Sequence, residues 1–190
     1  MKYKLFNLFK TKKLIGAFEI NVNNSRADFI TINGDTRSYE IKSKLDNLQK
    51  LKKQTSDYVK AFEYNTVVIS NMHLSNAIDI VPKSYGIWCF DNKHKFVFRE
   101  AELNSNLDAE FQLNLLSKKE RNKHFKIDNG EIFGILRHLD VQTINSLFKQ
   151  ALKERYQRKW SFIVDNCEKI LPVDLQFFFK MNISPEIIYA

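Results

Sequence analysis

The feature that most constrains this chain lies between residues 27 and 70. Two arms rich in β-branched and aromatic residues, ADFITI at 27–32 and RSYEIKS at 37–43, meet across Asn33-Gly34, a strong hairpin signal. Over 45–62 the apolar residues Leu45, Leu48, Leu51, Val59 and Phe62 fall on one helical stripe, while Lys50, Lys52, Lys53 and Lys60 mostly point elsewhere. The run TVVIS at 66–70 then has the character of a fully buried strand. A helix joining two strands of one sheet is a crossover, so 66–70 is expected to lie parallel to the second hairpin arm. That order of elements commits the first half of the chain to an α/β fold.

The pattern continues with GIWCF at 86–90 and KFVFR at 95–99, which extend the sheet across a turn at 91–93. Upstream, Leu5, Leu8, Phe9 and Ile15 are spaced for a basic amphipathic helix over 3–18, before the extended FEINV. After residue 103 the pattern is helical, at roughly 107–124, 130–138, 141–159 and 172–180, with Pro172 in a first helical turn and Pro185 opening the tail. The expected organisation is a core over 1–102 and a helical extension over 103–190. No Gly/Ser linker separates the two, so they are expected to pack as one body.

Hydrophobic residues make up 44% of the chain and charged residues 27%, with only 5 Gly and 3 Pro, which excludes a disordered polymer. Lysines at 2, 4, 10, 12 and 13 interrupt any apolar stretch at the start, so neither a signal-peptide core nor a spanning helix is expected. Cys89 and Cys167 lack metal-type spacing and read as reduced thiols, in keeping with a cytoplasmic location. His73, His94, His124 and His138 share no ligand spacing either. The net charge of +8 is concentrated at 42–60 and 117–160, leaving the remainder mildly acidic. Patchy basic charge suits a polyanion-binding surface, with Lys44, Lys52 and Lys53 in the first block and Arg155, Arg158 and Lys159 in the second. A solvated basic face is the plainer alternative.

Within the hairpin, Asp28 stands on one arm and Glu40 and Lys42 on the other, followed by Gln54 and Tyr58 at i and i+4 on the helix. Two carboxylates supply hard oxygen ligands for Mg²⁺ or Mn²⁺, and Lys42 shares a side of its strand with Glu40. A carboxylate two residues before a lysine arises by chance about three times in such a chain, and Asp91 with Lys93 is one such decoy. The partner acid on the facing arm and the basic helix downstream distinguish Glu40 and Lys42. Period-2 geometry sets a condition: Asp28 can share their face only if the hairpin connection is odd in length or bulged. A strict two-residue turn would pair Asp28 with Tyr39. A three-residue loop or bulge around 33–35 is therefore expected, leaving Tyr39 and Ile41 to pack under the crossover helix. Asp28, Glu40 and the carbonyl of Ile41 would hold the metal, and Lys42 would orient water or stabilise charge at phosphorus. Glu19 is a further acid that could hold a second metal or a metal-bound water.

AspPheIle at 28–30, GluIleLys at 40–42 and GlnThrSerAspTyr at 54–58 resemble the PD-(D/E)XK nuclease superfamily, and the trailing Gln-x-x-x-Tyr its RecB-like and lambda-exonuclease-like branch. SRADFITING, YEIKSKLDNL, LKKQ and TVVIS are similar to a family of small bacterial and phage proteins assigned to that superfamily, over roughly residues 15–90. LLSKKERNKHF at 115–125 and KERYQRK at 153–159 extend the likeness more weakly, and Ala27 stands where the superfamily name has proline. The resemblance implies a restriction-endonuclease-like mixed sheet flanked by helices and a Mg²⁺- or Mn²⁺-dependent nuclease acting on nucleic acid, DNA favoured over RNA. Two alternatives stand beside it: a non-catalytic nucleic-acid-binding or interaction protein on the same fold, and a toxin that cuts structured RNA.

Overall fold

In the computed structural model the chain runs through α1 (Lys2–Phe9), β1 (Ile15–Val22), β2 (Ser25–Asn33), β3 (Asp35–Lys42), α2 (Leu51–Ala61), β4 (Tyr64–Ser70), α3 (Leu74–Ile80), β5 (Gly86–Phe90) and β6 (Lys95–Arg99). Helices α4 (Ala109–Asn114), α5 (Lys118–Phe125), α6 (Ile132–His138) and α7 (Val141–Asp165) follow. The structure describes residues 1–90, 94–171, 173–175 and 179. Of the expected helix at 172–180, residues 173–175 and 179 are helical. Its remainder, Pro172, Pro185 and the turn at 91–93 lie outside the described residues.

The six strands form one mixed sheet in sequence order, with β3, β4 and β5 parallel and the outer pairings antiparallel. The expected α/β class is thus realised, with α2 crossing from β3 to β4 and α3 from β4 to β5. On one face Val67, Ile69, Ile87 and Cys89 pack with Leu51 of α2 and Ala77 of α3. On the other, Phe18, Phe29, Tyr39 and Trp88 pack with Phe6 and Phe9 of α1 and with Trp160 of α7. Tyr39 and Ile41 therefore lie on the face opposite α2, not beneath it. Alternation along β3 gives the α2 side to Glu40 and Lys42 instead.

Three boundaries differ from the periodic reading. The first helix stops at Phe9, and Ile15 already belongs to β1. The second begins only at Leu51, because the Asp46 carboxylate accepts the Ser43 N–H (2.7 Å) and hydroxyl (2.5 Å) and closes a turn there, leaving Leu45 98% exposed. The segment at 107–124 breaks into α4 and α5 where Ser117 and Glu120 form a reciprocal capping box. The helices of the second half join the main core directly. Gln112, fully buried, donates to the carbonyl of Ala61 and to Asn145 (both 2.9 Å), and Glu63 accepts from Asn145 and Lys149 (both 2.9 Å). Cys89 and Cys167 are free thiols. Among the described residues no helix is long and apolar enough to cross a membrane.

Gly16 of β1 lies flat against the Trp160 ring, and a Cβ there would stand 2.5 Å from it. Gly16→Ala must displace a buried ring that also packs edge-on against Phe6. We expect a loss of about 1–3 kcal/mol, read as a lower urea midpoint at unchanged slope.

Candidate active site

The hairpin turns on Gly34 alone, at a φ of +78° open to glycine. Asn33 pairs with Asp35, and the register runs on to Phe29 opposite Tyr39. The next facing residues are Asp28 and Glu40, so the connection has the odd length their common face requires. There the ladder ends, and the Asp28 side chain takes over: its Oδ2 accepts the N–H of Ile41 at 2.8 Å. In β1 the register passes from Phe18 opposite Phe29 to Ile20 opposite Ala27. Glu19 thus falls opposite Asp28, and three acids from three adjacent strands make a row.

Glu40 is 2% exposed and fully engaged. Its Oε1 accepts from Lys42 Nζ (2.7 Å) and Gln54 Nε2 (2.6 Å), while Gln54 Oε1 accepts from the same ammonium (2.8 Å). The i, i+4 spacing of α2 brings Tyr58 to the second oxygen, Oε2, at 2.7 Å. Burial, reinforced by the neighbouring charge of Asp28, pushes the Glu40 carboxyl up to about 7 despite Lys42. The Tyr58 oxygen also lies 2.7 Å from the Arg26 carbonyl. The Tyr58 hydroxyl thus stands at hydrogen-bond distance from two acceptors, Glu40 Oε2 and the Arg26 carbonyl, which share its one proton. Burial raises the Tyr58 phenol far above its usual range, which keeps it a donor.

Asp28, Glu40, Ile41, Lys42 and Gln54 line a cavity of about 710 Å³ whose rim carries Arg26, Lys50 and Lys53. Of the expected basic residues, only Lys53 reaches it. Lys44 is exposed elsewhere, and Lys52 lines the neighbouring depression with Asp46 and His73. Arg155 is clamped by Glu120 (2.6 and 2.7 Å) and the carbonyl of Leu115 and does not line the acid cavity. Lys159 sits over the Phe179 ring and Arg158 is exposed on α7; neither lines the acid cavity. Glu19 is buried, and its carboxylate pairs with Lys2 and with Arg26 Nε (2.7 Å). Lys2 bridges on to Asp28 Oδ1 at 2.9 Å.

Sequence reasoning missed Arg26, Lys50 and Lys2. Alternation along β2 puts Arg26 beside Asp28, and i, i+4 spacing puts Lys50 beside Gln54, so both carried a signal. Lys2 carried none, since its partners lie far along the chain. The donor set fits a hard divalent ion: two carboxylates, one of them pushed up by burial, with the Ile41 backbone alongside. Among the described residues no group of three or more His, Cys, Asp or Glu side chains is placed to hold a metal ion. Mg²⁺ commonly uses one or two carboxylates and completes its shell with water and substrate phosphate.

Residues 4–178 match the family described as Bacteriophage P4 protein cII. No curated protein matches the chain. A solved structure of a protein of unknown function from Silicibacter pomeroyi is similar at a TM-score of 0.40 and 15% identity, covering 53% of this chain and 68% of that one.

Glu40 sets a pH dependence in the metal-free protein. Between its ordinary 4.5 and about 7 the folded state keeps a proton that the unfolded state releases, so stability falls as pH rises through that window. The fall is at most about 3 kcal/mol. Glu120, held down at about 2 by Arg155 and Ser117 against its own burial, titrates below the window. Urea midpoints from pH 4.5 to 8 in chelator should decline for the wild type and stay flat for Glu40→Gln.

Proposed function

This chain belongs to the bacteriophage P4 protein cII family, and we propose that it is a divalent-metal-dependent nuclease that hydrolyses phosphodiester bonds in nucleic acid. DNA is favoured over RNA by the resemblance of its motifs to PD-(D/E)XK nucleases, and reduced cysteines suit action in the cytoplasm. The observation that carries the reading is the meeting of Asp28 and Glu40 across β2 and β3 with Lys42 locked beside them, at the floor of a cation-rimmed cavity. Mg²⁺ or Mn²⁺ held by Asp28, Glu40 and the Ile41 carbonyl would supply Lewis-acid activation and neutralise charge on the phosphate.

The side chains account for the remaining work. Lys42 spends two N–H groups on Glu40 and Gln54, leaving a third for the attacking water or a non-bridging phosphate oxygen. Gln54 and Tyr58 fix the Glu40 carboxylate, and Asp28 is fixed by the Ile41 N–H. Arg26, Lys50 and Lys53 draw the phosphate backbone to the opening. In the hydrolysis the water oxygen bonds to phosphorus, one phosphorus–oxygen ester bond breaks, and the leaving oxygen gains a proton.

Supercoiled, linear and single-stranded DNA and RNA, incubated with Mg²⁺ or Mn²⁺, should reveal metal-dependent cleavage. Lys42→Ala and Glu40→Ala should each reduce it by about 10²-fold or more. Folded protein that binds these substrates in a salt-dependent way yet cuts none would overturn the reading in favour of a non-catalytic binding module. Replacing Lys50 and Lys53 together with Ala should weaken binding to all sequences and flatten its salt dependence by about two phosphate contacts.

A further inference from the structure

The Glu19 end of the acid row is occupied by the protein's own cation. Glu19 has a side chain 1% exposed and holds a left-handed backbone, φ 58°, that non-glycine residues rarely adopt. Strain of this kind persists only where the surroundings enforce it, and it clusters at functional sites. Here it accompanies a carboxylate whose Oε1 pairs with Lys2 and whose buried Oε2 carries no aligned hydrogen bond, although Arg26 Nε lies 2.7 Å away. Lys2 Nζ also pairs with Asp28 Oδ1 at 2.9 Å, so one ammonium bridges two acids on neighbouring strands.

Lys2 does not arrive there on a loose arm. Leu5 and Phe6, one turn along α1, are fully buried, and Phe9 packs against Phe29, Tyr39 and Trp88. An ammonium bridging two carboxylates takes both the space and the charge that a divalent ion between them would need. At the other end of the row, Asp28 and Glu40 share no such cation of α1. Lys42 there is divided between Glu40 and Gln54.

We propose that Lys2 is a built-in counter-cation that fills the Glu19–Asp28 end of the row, where a second divalent ion would otherwise bind, and so limits the centre to one divalent ion at Asp28 and Glu40. This rests on the reading that Asp28 and Glu40 hold a divalent ion. Lys2 is a positioning residue: it keeps Asp28 turned along the row and Glu19 out of reach of metal. Lys2→Met keeps the stem of the side chain and removes its charge, opening the bridged pair to a second ion. Lys2→Arg keeps the charge.

Mn²⁺ titrated into the full chain by calorimetry, with free Mn²⁺ checked by electron paramagnetic resonance, reads the stoichiometry directly. We expect one ion per chain in the wild type and in Lys2→Arg, two in Lys2→Met, and one again when Lys2→Met is combined with Glu19→Gln. Should Lys2→Met be unfolded without metal, Mn²⁺ should fold it with two ions taken up. Two ions in the wild type, or one in Lys2→Met beside one in the wild type, would overturn the inference and leave the nuclease reading standing. Absence of binding in every protein, wild type included, would remove both.

Discussion

Because β2 and β3 join through Gly34 alone, Asp28 falls opposite Glu40. One more residue in the connection would set Asp28 against Tyr39 and turn one of the two acids to the opposite face of the sheet. A Cβ at Gly34 would meet nothing within 4 Å, so the glycine is required for its φ of +78° and not for space. Everything chemical about the site depends on this parity. It puts Glu40 and Lys42 on the side of α2, where Gln54 and Tyr58 can reach them, and leaves Tyr39 to the aromatic core on the other face.

The arrangement concentrates a conflict of charge. Burial, with the charge of Asp28 opposite, raises the Glu40 carboxyl to about 7 even though the Lys42 ammonium pairs with it. At the other end Glu19 faces two cations, Lys2 and Arg26. A buried carboxylate is costly unless it is paired, and Lys42, Gln54 and Tyr58 supply that pairing at the edge of the cation-rimmed cavity.

The parts of this design that obey a short period were legible in the sequence. Alternation marked both arms of the hairpin, the helical stripe marked α2, and i, i+4 spacing placed Gln54 next to Tyr58. The same alternation should have sent Tyr39 and Ile41 away from α2, since Glu40 cannot meet Tyr58 while its strand neighbours face the same helix. Boundaries were less legible because local polar turns override the stripe: Asp46 caps the Ser43 turn, so Leu45 and Leu48 never enter α2. Contacts distant in sequence were not legible at all. Arg155 finds Glu120 across 35 positions and Lys2 finds Glu19 across 17, and no spacing rule relates either pair.

The helical second half bears on the site through packing, and its basic character is partly consumed in doing so. Lys149 pairs with Glu63, Lys118 with Glu131, Lys123 with Glu154 and Arg155 with Glu120. The exposed Lys118–Glu131 and Lys123–Glu154 pairs add little stability, whereas the part-buried Lys149–Glu63 and Arg155–Glu120 pairs tie α7 to its neighbours. What α7 does supply is a mechanical link. Trp160 covers Gly16, donates to the carbonyl of Thr11 at 3.0 Å and packs edge-on against Phe6. Phe6 lies one turn from Lys2, and Lys2 holds Asp28. A ring placed late in the chain thus fixes the first helix, and through it the acid on which the site turns.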